Sequence, residues 1–387
     1  MRIDGEHLDS TLARMVRIDS VNPFFSGGTT DERAIAAFVA AELERLGLRV
    51  ETYEPEPRRV SVVGTLPGSG GGRSLMLYGH MDTVGPGDMA EPWSAAVRDG
   101  RMYGRGTYDM KGGLAACIAA AKAVAGSGVR LAGDLHVCGV ADEEVASLGM
   151  IDVLTHCRPD AAVVTEATEL DVSLAHKGFC WFAVETIGRA AHGSRFDEGI
   201  DANLRMGRFL HRLEALEREL RQRPPHPLVG PPSLHAGVLC GGTAPSIYAA
   251  HCRLEIERRT LPGETAAACL AELQAILDAL AAEDPGFVGR VRPTLTRGAF
   301  AVAPDAPLVR AVIAAATAVL GRVPATIGHS FWMDAALLAE AGVETVVIGP
   351  VGAGAHADIE WVDLGSVHRL AAILARTAVA VCGSPEP

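Results

Sequence analysis

The 387-residue chain sets 47 acidic side chains against 35 basic ones, a formal net charge of −12 at neutral pH. That balance argues against nucleic acid or an anionic membrane as partner, since both need clustered Lys and Arg. Hydrophobic residues at 48% and charged ones at 21% describe a globular protein with a large core, and aromatics at only 5% leave that core to Ala, Val and Leu.

The length allows two domains at roughly 100–200 residues each. The N-terminus is polar from its first residues and shows no apolar signal core. The apolar stretch 114–125 is interrupted by Lys122 and is too short to span a bilayer. Eight cysteines stand singly in apolar runs without zinc-knuckle or redox spacing, so they read as small buried hydrophobes in a reducing compartment. The expected address is the cytoplasm.

In chain order, a helix is expected over 31–46, where Thr29 and Glu32 have capping-box spacing and Gly47 stands as a stop. β-rich runs follow at 60–66 and 75–78, split by the glycine-rich turn 67–72. An Ala-rich buried helix is expected over 114–124, then buried strands over 135–140 and 161–164 with a helix between them. This alternation reads as an α/β layered domain. It breaks off near His176. Strand 179–187, helix 201–220, strands 233–239 and 247–257 and helix 264–282 follow the order of a small ferredoxin-like sandwich. The α/β pattern then resumes, with helices at 306–320 and 332–341, a strand at 345–348 and a last helix at 364–381. A catalytic domain in two pieces around a smaller insert is the economical architecture.

The potential metal ligands sit where strands end. The apolar run 75–78 leads into Gly79-His80-Met81-Asp82, and 135–140 leads into Ala141-Asp142-Glu143-Glu144. The run 161–164 leads into Thr165-Glu166, and 345–348 into Gly349-Pro350 with His356 a short loop later. Open α/β sheets gather ligands at the carboxyl ends of their strands, so these groups could share one crevice. Asp109 joins them from the glycine-flanked loop 104–109. Two imidazoles and three carboxylates exceed what one tetrahedral ion needs and suit two divalent ions sharing a carboxylate, ~3.5–4 Å apart. Zinc is the first expectation, with cobalt or manganese also accepted by such ligands.

Five segments carry a family resemblance: Tyr78-Gly79-His80-Met81-Asp82-Thr83-Val84, the run from Gly104 to Gly113, Asp142-Glu143-Glu144, Gly349-Pro350 with His356, and Arg259-Thr260-Leu261-Pro262-Gly263-Glu264. In this order and spacing they resemble the zinc hydrolases that include acetylornithine deacetylases, succinyl-diaminopimelate desuccinylases, aminoacylases and bacterial glutamate carboxypeptidases. The resemblance implies an α/β fold: a zinc-peptidase-type catalytic domain with a central mixed sheet at 1–177 and 294–387, and an inserted ferredoxin-like α+β lid and dimerisation domain at 178–293. It implies that His80, Asp109 and Glu166 hold one zinc and Asp109, Glu144 and His356 the other, with Asp109 bridging. Asp82 would fix the His80 tautomer through the ring nitrogen that faces away from the metal. Glu143 would be the general base, His192 would reach a partner subunit's site to stabilise an oxyanion, and Arg259 would grip the substrate carboxylate.

Three positions depart from the family pattern. Ser246 stands where relatives have Asn at a substrate-binding position, Tyr108 replaces a small residue before the bridging Asp, and Phe196 replaces a Pro. On residue logic alone His192 also reads as a helix-capping turn residue and Arg259 as an edge-strand ion-pair partner. The expected activity is hydrolysis of an N-acyl amino acid or dipeptide-like amide by a homodimer. The alternatives are a relative that binds metal or an amino-acid derivative without turnover, and an amidohydrolase of N-carbamoyl or ureido substrates.

Overall fold

Four short apolar runs with almost no polar residue have nowhere to go but the middle of a sheet covered on both faces. In the computed structural model, which describes residues 1–383, they lie side by side and parallel in the order Leu135–Val140, Leu75–His80, Ala161–Val164, Glu344–Val347. The first three are buried at every position. Arg59–Leu66 adds antiparallel to Leu135–Val140, Arg49–Glu56 adds outside it, and Val172–His176 runs antiparallel beside Glu344–Val347, so the central sheet is mixed.

The Ala-rich helix Gly112–Ala125 is buried along nearly its whole length. Gly113 lets it approach the sheet closely, since a Cβ there would stand 2.3 Å from the Thr165 carbonyl oxygen. The last helix, Leu364–Cys382, packs against it and against Pro307–Leu320. At 19 residues and mean hydropathy 1.3 this last helix is long and apolar enough to cross a membrane, whereas the pattern 114–125 is not; half of it is buried inside the protein. All eight cysteines are free; six are buried, but Cys240 is exposed, unlike the buried hydrophobe expected there.

Two local expectations need correction. The helix expected from residue 31 runs Arg33–Arg45, and no capping box forms: Thr29 Oγ1 bonds the Ser26 carbonyl, while buried Glu32 pairs with Arg59 at 2.6 Å. The helix expected over 332–341 is only Ala335–Glu340. An unforeseen first helix, Gly5–Arg17, is capped by Asp4, which accepts from the His7 amide. At its other end the Lys111 ammonium donates to the Met15 and Ile18 carbonyls at 3.0 Å each, a cation at the negative end of the helix.

The chain divides into two units. One comprises Met1–Leu174, Val302–Ile327 and the chain from Met333 onward; the other comprises Ala175–Ala301 and Gly328–Trp332. The sequence placed the joints at 177/178 and 293/294. The second of these falls inside the strand Val288–Arg297, whose alternating polar residues hide its continuity, and 384–387 lie outside the described residues.

The second unit is a four-stranded antiparallel sheet in the order Ser233–Gly241, His251–Thr260, Gly178–Ile187, Val288–Arg297. With the helices Ala202–Gln222 and Ala266–Glu283 its chain order is strand–helix–strand–strand–helix–strand, the ferredoxin-like pattern. Its core joins Phe182, Val184, Leu254 and Ile256 of the sheet to Met206, Phe209, Leu213, Leu273 and Leu277 of the helices. Phe209 is fully buried there. Phe209→Ala should therefore cost about 3–5 kcal/mol of stability. A urea unfolding curve with an unshifted midpoint would show that this ring does not anchor the unit.

Candidate metal centre

The parallel strands deliver their following residues to one edge of the sheet. His80 is the last residue of its strand, Glu143 and Glu144 follow Leu135–Val140, Glu166 follows Ala161–Val164, and Gly349 follows Glu344–Val347. Gly349 is a close-approach position: a Cβ there would lie 1.9 Å from the Glu166 carbonyl oxygen.

Two groups of side chains in this region have the reach and chemistry to hold a metal ion, His80 with Asp109 and Glu166, and Asp109 with Glu144 and His356. Within each group the ligand atoms lie within 4.8 Å of one another. Asp109 divides its oxygens between them. Oδ1 is 3.1 Å from His80 Nε2, which is 3.6 Å from Glu166; Oδ2 is 3.3 Å from His356 Nε2, which is 3.1 Å from Glu144. One Glu144 oxygen is buried without any hydrogen-bond partner among the described residues, as expected of a group whose partner is a cation. The residues present thus fit a pair of divalent ions.

The ring of His80 is oriented for that use. Its Nδ1 donates to the backbone carbonyl of Asp82 at 2.9 Å, which places the lone pair of the neutral ring on Nε2, toward the ligand group. The bond comes from the Asp82 backbone, while the Asp82 carboxylate stands 3.7 Å from Nδ1 and does something else. Its Oδ1 accepts from the Glu143 amide at 3.1 Å and its Oδ2 from the Glu144 amide at 3.2 Å. Asp82 therefore shapes the turn that carries the base candidate and one candidate ligand.

A buried polar chain stands behind Asp82, and nothing in the sequence marked it. Asn22 donates to Asp82 and to Asp142 at 2.9 Å each. Arg59 in turn reaches Asn22, Asp142 and Glu32. Asn22 stands two helices and two strands before the first motif, at Tyr78, so spacing offers no clue. Asp334 is fully buried and accepts from the Tyr78 hydroxyl at 2.6 Å.

Burial first, and neighbouring charge second, sets the titration of the glutamates in this cluster. Burial, with Asp109 beside it, pushes Glu166 up to about 8. Burial and Asp109 also raise Glu144, and burial with Asp334 and Glu166 nearby raises Glu143 well above the usual carboxylate range. Burial opposes charge on His80, yet Asp109 and Glu166 together hold its pKa well above normal; hydrogen bonds to Asp109 and Glu144 lift His356 to about 10. Glu143 belongs to neither ligand group.

His192, Ser246 and Arg259 belong to the other unit. His192 and Ser246 come together on paired loops, where Gly193 N donates to the Ser246 carbonyl at 2.7 Å. The His192 ring is exposed, with Nδ1 2.8 Å from Ser194 Oγ. Arg259 donates through Nε to Glu257 at 2.6 Å and lies 5.5 Å from the centroid of the Phe179 ring.

A family model described as peptidase family M20/M25/M40 matches residues 76–380. An acetylornithine deacetylase from Myxococcus xanthus is 33% identical over 360 residues, 89% of this chain and 91% of that protein. Another from Pasteurella multocida is 33% identical over 263 residues, 65% of this chain and 67% of that protein. Among solved structures, an aminopeptidase PepT from Bacillus cereus superposes with a TM-score of 0.81 at 20% identity, covering 98% of this chain and all of that one. A metallo-carboxypeptidase from Sulfolobus solfataricus gives 0.76 at 17% identity, covering 96% and 98%. At these identities the two structures speak for the fold alone.

The titration pattern makes a prediction with a sign. Metal-free at pH 7, His80 and His356 carry protons because both are raised, and Glu166 carries one because it titrates at about 8. Ions bind neutral imidazoles and ionised carboxylates, so binding expels those protons and tightens as pH rises. Calorimetry of zinc binding in buffers of different ionisation enthalpy should record net proton release; proton uptake would refute this account.

Proposed function

The chain belongs to the peptidase family M20/M25/M40, and on that basis we propose a two-metal hydrolase cleaving the amide bond of an N-acyl amino acid or dipeptide-like substrate. The observation that carries the reading is the division of Asp109, one oxygen toward each ligand group. His80, Asp109 and Glu166 would hold one divalent ion and Asp109, Glu144 and His356 the other, with zinc the first candidate and cobalt or manganese suited as well. The chemistry such a pair supplies when bound is Lewis acidity, which acidifies water and polarises the scissile carbonyl.

The remaining work falls to the chain's own side chains. Glu143, on the turn fixed by Asp82, takes a proton from the attacking water and returns it to the leaving amine. Its raised pKa in the metal-free protein suits a group that must hold a proton between those two events. Arg259 has guanidinium N–H groups beyond the one given to Glu257, and these grip the substrate carboxylate. The exposed His192 ring, turned by Ser194, stabilises the tetrahedral oxyanion in the site of a partner subunit.

That last role requires a homodimer. Supporting it, Ser233–Gly241 is an edge strand of its sheet and exposes Val238 and Leu239. An open apolar edge of this kind invites pairing with another chain. Light scattering on the purified protein should return two chains per particle, and a monomer at micromolar concentration would remove His192 from the mechanism.

The activity itself is tested on wild type and Glu143→Ala with N-acetyl, N-succinyl, N-carbamoyl and dipeptide substrates. The expected result is near two ions per chain in both proteins, with kcat down by about 10²–10⁴-fold in the variant. The substrate turned over best names the acyl group. A wild type that binds no metal, and that no divalent ion renders active on any of these amides, would overturn the reading.

A further inference from the structure

The bridging ligand follows Gly104 and Gly106 in a single wide turn, Thr107–Lys111, whose backbone departs from helical geometry at Asp109 itself, yet its role demands accurate placement of both carboxylate oxygens. What holds it is found across a small sheet. Trp361–Asp363 pairs antiparallel with Arg101–Tyr103, Trp361 opposite Tyr103 and Asp363 opposite Arg101. That pairing brings the residues just before Trp361 against those just after Tyr103. His356 lies on the first of these segments and Asp109 on the second.

Glu360 is the residue at the join. It is 2% exposed, and its carboxylate collects four donors from the Asp109 loop. Oε2 accepts from Arg105 Nη1 at 2.6 Å and from Gly106 N at 3.0 Å, while Oε1 accepts from Tyr108 N at 2.8 Å and Asp109 N at 3.1 Å. The Glu360 carbonyl accepts a further bond from Gly104 N at 3.1 Å. Arg105, 1% exposed, closes the arrangement by donating to the carbonyls of Gly85 at 3.1 Å and Ala357 at 2.9 Å. Every polar group in this arrangement is matched to a partner, and the Asp109 amide is one of them.

We propose that Glu360, with Arg105, is the positioning residue of the metal centre: it sets the backbone of Asp109 so that one carboxylate oxygen faces each ligand group. This rests on the two-metal reading above and deepens it. The four donors require two acceptor oxygens with both lone pairs used, which only a carboxylate offers. An amide at this position presents one oxygen and one NH2, so two of the four N–H groups lose their acceptor and meet a donor instead. Either the Arg105 and Gly106 pair or the Tyr108 and Asp109 pair must break. Because Asp109 serves both groups, the consequence falls on both ions and not on the His356 side alone.

The test is carried out on full-length protein, wild type beside Glu360→Gln and Glu360→Asp, with zinc affinities measured by chelator competition and the cobalt-substituted absorption spectrum recorded. Glu360→Asp keeps the charge but is one methylene short, and serves if the amide variant does not fold. Supporting partners of metal ligands are commonly worth about 10–100-fold in affinity, and a loss of that size is expected at both sites together with a changed cobalt spectrum. A residue that only stabilised the fold would lower the melting temperature and leave affinities and spectrum as in wild type; that result would overturn the proposal. Weakening confined to the His356-side ion would overturn it too, since it would locate the effect away from Asp109. A wild type that binds no zinc would instead sink the two-metal reading itself, so the two failures are distinguishable.

Discussion

Carboxylates do not gather in a protein interior without a reason. Asp109 stands close to both Glu144 and Glu166, all largely screened from water, and burial beside its charge raises both glutamates while two imidazoles hold Asp109 itself low. In the metal-free chain the two imidazoles and the raised carboxylates relieve that charge with protons. Two divalent ions would relieve it better, because Asp109 already presents one oxygen to each group. The rest of the site can be read as scaffolding that keeps this costly arrangement in place.

The scaffolding comes in two parts. One is the parallel sheet, which aims His80, Glu144 and Glu166 at one edge and leaves Gly349 free of a side chain where the loops come within contact. The other is irregular: Asp82 gathers the amides of Glu143 and Glu144, Asn22 and Arg59 support Asp82 from behind, and Glu360 gathers the amides around Asp109. In each case a buried carboxylate fixes backbone by accepting several N–H bonds, which satisfies its charge and removes freedom from a loop in one stroke.

The sheet part was legible in the sequence. Runs such as Leu135–Val140 and Ala161–Val164 are almost wholly apolar and lead into a candidate ligand, and their bounds match the observed strands. The candidate ligands His80, Glu144, Glu166 and His356 were read from that placement, Asp109 from its glycine-flanked loop, and their grouping from family resemblance. The irregular part was not legible. Asn22, Arg59 and Glu360 stand in no periodic pattern, and each is recognisable only through what it touches across the fold. Asp82 was singled out as the partner of His80, but its hold on the Glu143 and Glu144 amides was not foreseen, because sequence spacing cannot tell what a buried carboxylate touches across the fold. The capping box at Thr29 and Glu32 failed for a similar reason: buried Glu32 has a better partner in Arg59, and tertiary pairing overrides a local signal.

The central claim is that Asp109 joins two ion sites. Crystals grown with zinc and measured at the zinc absorption edge address it most directly. The account predicts two anomalous peaks about 3.5–4 Å apart with the Asp109 carboxylate between them, one contacted by His80 and Glu166, the other by Glu144 and His356. A single peak, or two that do not share Asp109, would contradict it.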